Sequence, residues 1–93
     1  MREKCIEQKL IKAVKADGGL ALKFISPGYN GVPDRLLLLP GGIIAFAEIK
    51  ACGSKPRPIQ KRRHEMFRQL GFKVYVIDDE SQIGGVLDEI RAT

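Results

Sequence analysis

The sequence predicts an α/β fold, a mixed central sheet flanked by helices, with elements in the order αβββαβα. Three observations carry that prediction. Apolar residues recur at helical spacing near the start, past the middle and at the end of the chain, and short runs of Leu, Ile, Val and aromatic residues lie between them. No linker composition and no internal repeat interrupts the succession. The length of 93 residues suits one small domain, so residues 1–93 read as a single domain.

Each element has a local reason. From Glu3 to Ala16, Ile6, Leu10, Ala13 and Val14 fall at i, i+4, i+7 and i+8, the stripe of an amphipathic helix, and Asp17-Gly18-Gly19 stops it. Leu20 to Ile25 reads as a strand, closed by Ser26-Pro27-Gly28-Tyr29-Asn30-Gly31. Arg35–Leu39 and Ile43–Lys50 are strands joined by the turn Pro40-Gly41-Gly42, a predicted hairpin. The Pro- and cation-rich loop from Gly53 to Pro58 leads into a helix over Ile59–Leu70, with Ile59, Met66, Phe67 and Leu70 as its expected buried stripe. Gly71 ends that helix, and Lys73–Ile77 is a β-branched and aromatic strand. Asp78 to Ser81 offer caps for a last helix with Ile83, Val86, Leu87 and Ile90 on one face.

Composition excludes several classes. A hydrophobic fraction of 44% is too high for a disordered chain. No apolar run approaches the ~18–20 residues that cross a bilayer, and Met1 to Lys15 lacks the continuous apolar stretch of a secretory signal. A cytoplasmic protein without a membrane partner is expected. Cys5 and Cys52 are therefore expected as free thiols, and with His64 the only imidazole they make no zinc site. A chain this short buries about 60–65% of its unfolded surface, so a partner subunit is the expected source of extra stability.

The charge is concentrated. Lys and Arg number 16 against 11 Asp and Glu, and the segment from Ala51 to Leu70 carries the entire excess of +5. Its cations are Lys55, Arg57, Lys61, Arg62, Arg63 and Arg68, against Glu65 alone. Such a patch is the footprint of a phosphate-backbone binder, or else a solvated helix face that keeps a small protein in solution. His64 lies in the same helix, where it serves as a phosphate contact, a general acid or simply a solvated side chain. Tyr29, in its Gly/Pro/Asn loop, would stack on a base or fill the loop's own core.

Two carboxylates sit where carboxylates are expensive. Asp34 follows Pro33 at the mouth of the Leu36-Leu37-Leu38-Leu39 strand, and Glu48 lies inside the apolar run Ile43 to Lys50. Period two places Glu48 and Lys50 on one strand face, and the hairpin would bring Asp34 and Glu48 to the same end of the sheet. Two carboxylates and an ammonium there meet the needs of metal-assisted phosphodiester hydrolysis: oxygens for Mg²⁺, and a lysine to orient water or stabilise developing charge. The plainer reading is an edge pair of Glu48 with Lys50 and a turn cap at Asp34.

Gly31-Val32-Pro33-Asp34, then thirteen residues, then Glu48-Ile49-Lys50, resembles the P-D…E-x-K signature of the restriction-endonuclease-like superfamily, whose core also shares the order αβββαβ. More narrowly, G-V-P-D-R, Gln60 at the head of the basic helix and Gly71 to Val76 after it resemble the VRR-Nuc (virus-type replication-repair nuclease) family, from about Cys5 to Ile90. The resemblance implies that Asp34, Glu48 and the backbone carbonyl of Ile49 hold Mg²⁺ or Mn²⁺, with Lys50 as the catalytic lysine and Gln60 bordering the site. It also implies a first-helix acid as a further catalytic metal ligand, Glu7, with Glu3 one turn earlier as the competing candidate.

The function so implied is a metal-dependent, structure-selective DNA endonuclease. Within the family it resembles the stand-alone, homodimeric Holliday-junction resolvases of phages and prophages, which suggests the cytoplasm of a bacterial or phage-infected cell. DNA contacts are expected from Lys55, Arg57, Lys61, Arg62, His64 and Arg68. Two other readings stay open: a flap- or nick-directed nuclease of the same fold, and a non-catalytic basic nucleic-acid-binding module.

Overall fold

Every expected element forms in the computed structural model, which describes residues 2–92; Met1 and Thr93, the two ends of the expected domain, lie outside the described residues. The order is α1 (Glu3–Ala16), β1 (Leu20–Lys23), β2 (Arg35–Leu39), β3 (Ile43–Ile49), α2 (Pro58–Gln69), β4 (Lys73–Ile77), a 3₁₀ turn (Glu80–Gln82) and α3 (Ile83–Arg91). The strands lie in one sheet in the order β1-β2-β3-β4, antiparallel except for the parallel pair β3–β4. That pair is parallel because α2 carries the chain back between them.

β1 ends two residues earlier than expected, although Phe24 N–H still donates to the Asp34 carbonyl at 2.8 Å. The β2–β3 hairpin turns on Gly41 and Gly42, both at positive φ. Gly19 is required by space: a Cβ there would lie 2.4 Å from the Leu38 carbonyl oxygen. The 3₁₀ turn before α3, which periodicity does not reveal, starts from Asp79, whose carboxylate accepts from Ser81 N–H at 2.9 Å.

Strand alternation gives the sheet two different faces. Leu37, Leu39, Ala45, Ala47, Ile49 and Ile77 meet Ile6, Leu10 and Val14 of α1 and Ile83, Leu87 and Ile90 of α3 in the main core. Ion pairs Lys9–Glu80 and Arg91–Asp17 tie that layer together at its rim. The opposite face, under α2, holds a ring cluster centred on Phe46, with Phe67 at 5.0 Å, Phe24 at 5.5 Å and Phe72 at 5.8 Å between centroids.

The expected stripe of α2 is corrected. Met66 is 43% and Leu70 76% exposed, while the buried residues are Gln60 and His64, with Phe67 half-buried below them. The helix rests on Phe46 and on the Glu48 carboxylate, so the side chains facing inward are those that can partner a charge. Met66 turns to the 26–31 loop instead, its sulfur lying 3.4 Å from the Tyr29 hydroxyl. No helix among the described residues is long and apolar enough to cross a membrane. Cys5 and Cys52 are free and exposed, as expected.

Candidate active site

Fully buried Pro33 feeds the chain into β2 with its fixed φ, which puts Asp34 at the strand's mouth. One step beyond the Arg35–Ala47 pair, Asp34 stands across from Glu48. Ile49 N–H donates to Asp34 Oδ2 at 2.8 Å. Burial pushes the Asp34 carboxyl up to about 6; the Ile49 hydrogen bond opposes this, and the neighbouring Glu48 carboxyl adds to it. The charge of Glu3 acts in the same direction as Glu48.

Glu48 is 1% exposed and both of its oxygens are engaged. Gln60 Nε2 donates to Oε2 at 3.0 Å, Lys50 Nζ lies 3.6 Å from the same oxygen, and His64 Nε2 lies 3.4 Å from Oε1. Gln60 is itself held, because Arg57 N–H donates to its Oε1 at 2.8 Å and so turns the amide NH₂ toward Glu48. Pro58, at the first position of α2, fits there because its missing N–H would have had no helical partner.

The structure thus brings Asp34, Glu48, Lys50 and Gln60 together, with the Ile49 backbone between the first two. It does not bring Glu7 to them. Glu7 Oε2 accepts from Arg35 Nε at 3.0 Å, and Arg35 alternates with Leu37 on the α1 face of the sheet, opposite Glu48. The first-helix carboxylate whose charge reaches Asp34 is Glu3.

Among the basic residues, Lys55, Arg57, Lys61 and Arg62 are exposed along the loop and outer face of α2. Arg68 is committed elsewhere, donating to the Val74 carbonyl at 2.9 Å and pairing with Glu65. His64 is corrected as a DNA contact: it is 1% exposed and faces Glu48, because a buried carboxylate needs partners more than the helix surface needs one more polar group.

Two features escape the sequence. Arg63 lies 3.9 Å over the Tyr29 ring and donates to the Asn30 carbonyl at 2.8 Å, pinning the loop before Asp34 onto α2. Gly31 permits this approach, since a Cβ there would lie 2.8 Å from the Ile59 carbonyl oxygen. The inward pair Gln60 and His64 had a usable signal: they stand four residues apart on one helix, and Glu48 in an apolar strand required partners.

Chemically, two adjacent carboxyls, one of them raised by burial and by its neighbour, make a site for a cation. All donors are oxygens, which suits a hard divalent ion such as Mg²⁺ or Mn²⁺. No group of three or more His, Cys, Asp or Glu that could hold a metal forms among the described residues, so water and substrate oxygens would complete the shell. A cleft of about 410 Å³ lies elsewhere, along α1 beside Cys5, Gln8 and Lys12.

Comparison with known proteins adds two relatives. A phage protein named "Putative nuclease p44", from Acyrthosiphon pisum secondary endosymbiont phage 1, is 50% identical over 80 residues, 86% of this chain and 86% of the phage protein. A solved structure described as "VRR_NUC domain" matches with a TM-score of 0.88 and 33% identity, over 95% of this chain and 97% of that one. No protein-family model matches the sequence.

Proposed function

The chain belongs to the VRR-Nuc family, and from that premise we propose that it is a metal-dependent, structure-selective DNA endonuclease that resolves four-way (Holliday) junctions as a homodimer. The observation that carries the reading is the meeting of Asp34 and Glu48 at one end of the two central strands, with Lys50 beside them. Asp34 and Glu48, with the Ile49 carbonyl, would hold Mg²⁺ or Mn²⁺, while Glu3 adds negative charge from the first helix. When bound, the ion polarises the scissile phosphate and makes water a better nucleophile.

The chain's own residues do the rest. The Lys50 ammonium orients water or stabilises negative charge as it develops on the phosphate. Gln60 keeps Glu48 turned toward the site. Lys55, Arg57, Lys61 and Arg62 grip the backbone by charge, which conveys no base sequence, so DNA shape selects the substrate.

A second subunit is supported by the half of the α2 face that α2 leaves open. Leu20 is 57%, Leu22 43%, Ile44 45% and Phe72 41% exposed, on or beside the same sheet surface. Two-fold symmetry in the protein would match that of a junction. The kinship with a phage nuclease points to the cytoplasm of an infected bacterium as the place of action.

The test is cleavage of labelled four-way junction, flap, nicked and linear duplex DNA with Mg²⁺ or Mn²⁺, wild type beside Asp34→Asn. Paired symmetric cuts in the junction are expected, with the rate falling about a thousandfold in the variant. Preferred cutting of flaps or nicks would retain the metal site and replace the substrate. Tight binding to all four without any cutting would reduce the protein to a binding module.

A further inference from the structure

Resting on the metal-nuclease reading, we propose that His64 is a positioning residue: its ring, with the Gln60 amide, fixes the plane of the Glu48 carboxylate so that it is set to receive a divalent cation. The terminal torsion of a glutamate is broad, so a single hydrogen bond leaves the carboxylate free to turn. Glu48 is restrained at two points. Gln60 engages Oε2 at 3.0 Å and His64 faces Oε1 at 3.4 Å, both from one helix and one turn apart. Lys50 does not serve in this way, being a point charge on a flexible stem beside the oxygen that Gln60 already holds.

The burial of His64 supports the same role. A ring 1% exposed on a helix of otherwise mostly exposed cations is unfavourable without a polar partner, and Glu48 supplies one. In this role Nε2 carries the ring proton and donates to Oε1, an acceptor. The longer of the two contacts is the one to Oε1. His64 therefore aims that oxygen without saturating it, as partners beyond the metal's own ligands do in other metal sites.

The experiment measures Mn²⁺ binding to the full chain by calorimetry, without DNA, alongside circular dichroism and melting. His64→Leu removes the donor and keeps the bulk, and should weaken Mn²⁺ binding about 10- to 100-fold with the fold retained. His64→Gln restores an amide donor and should bind within a few-fold of wild type. Should His64→Leu not fold, His64→Asn, whose shorter amide falls short of Glu48, replaces it with the same expectation. Wild-type binding in the donor-less variant, or equal weakening with and without a donor, overturns the proposal and leaves the metal reading standing. If wild type takes up no Mn²⁺, or Glu48→Gln takes it up as well as wild type does, the metal reading itself fails and the role of His64 with it.

Discussion

The two faces of the sheet are built from the same strands, one residue out of step, and they differ in almost every other respect. The α1/α3 face is closed and apolar, and its charges stand at the rim in pairs. The α2 face combines a ring cluster, a buried carboxylate with polar partners and an uncovered apolar margin. One face supplies the stability that allows the other to hold two carboxyls in contact. Separating the duties by strand alternation lets a small chain hold buried charged groups without opening its apolar core.

The largest effect expected from this contrast is on stability. Leu37→Ala opens a cavity on the closed face and should lower the unfolding free energy by about 2–5 kcal/mol, measured with urea. Leu22→Ala on the open face should cost about 0.5 kcal/mol or less in dilute protein. A Leu22→Ala deficit that grows with protein concentration would indicate a second copy seated there. Equal losses at both positions would erase the distinction between the faces.

A smaller effect sharpens the role of Asp34. Its carboxyl is raised to about 6 in the fold against 3.8 ordinarily, so its contribution to stability is whole below pH 3.8 and is lost as pH rises through 6. Asp34→Asn keeps an acceptor for Ile49 N–H and removes the charge. In EDTA it should stabilise the protein at pH 8 by about 1–2 kcal/mol, after discounting for partial exposure, and leave it unchanged near pH 3.5. A stabilisation of the same size at both pH values would show that charge is not the cause.

The smallest effect concerns the outer surface of α2. Reversing Lys61 and Arg62 to Glu should weaken junction binding in EDTA and flatten its salt dependence by about one unit of slope per lost phosphate contact, read by fluorescence anisotropy. An unchanged slope would make that surface a solvated face only.

Much of this was legible in the sequence, and the failures have physical causes. Strand alternation and the Gly41-Gly42 turn disclosed the hairpin, and with it the meeting of Asp34 and Glu48, because register is local. The inward side of α2 departs from apolar periodicity because that pattern assumes an apolar floor, whereas this helix stands partly on a carboxylate. The family resemblance points to Glu7 as the first-helix acid, but Arg35, on the same sheet face, claims it. The union of Tyr29 with Arg63 depends on how a loop folds over a helix, which neither segment encodes alone.

The hairpin also divides the site by distance along the chain. The strands that carry Asp34 and Glu48 are joined by the shortest loop in the sheet, and pairing along the hairpin brings these two residues together at its open end. Their partners Gln60 and His64 arrive with α2, whose place is secured by the non-local pairing of β3 with β4, a slower class of contact. The contacts that set Asp34 beside Glu48 are therefore more local in the chain than those that bring Gln60 and His64 to Glu48. The pairing of the two carboxyls is thus written into one short stretch of chain, while the groups that partner Glu48 come from a distant one.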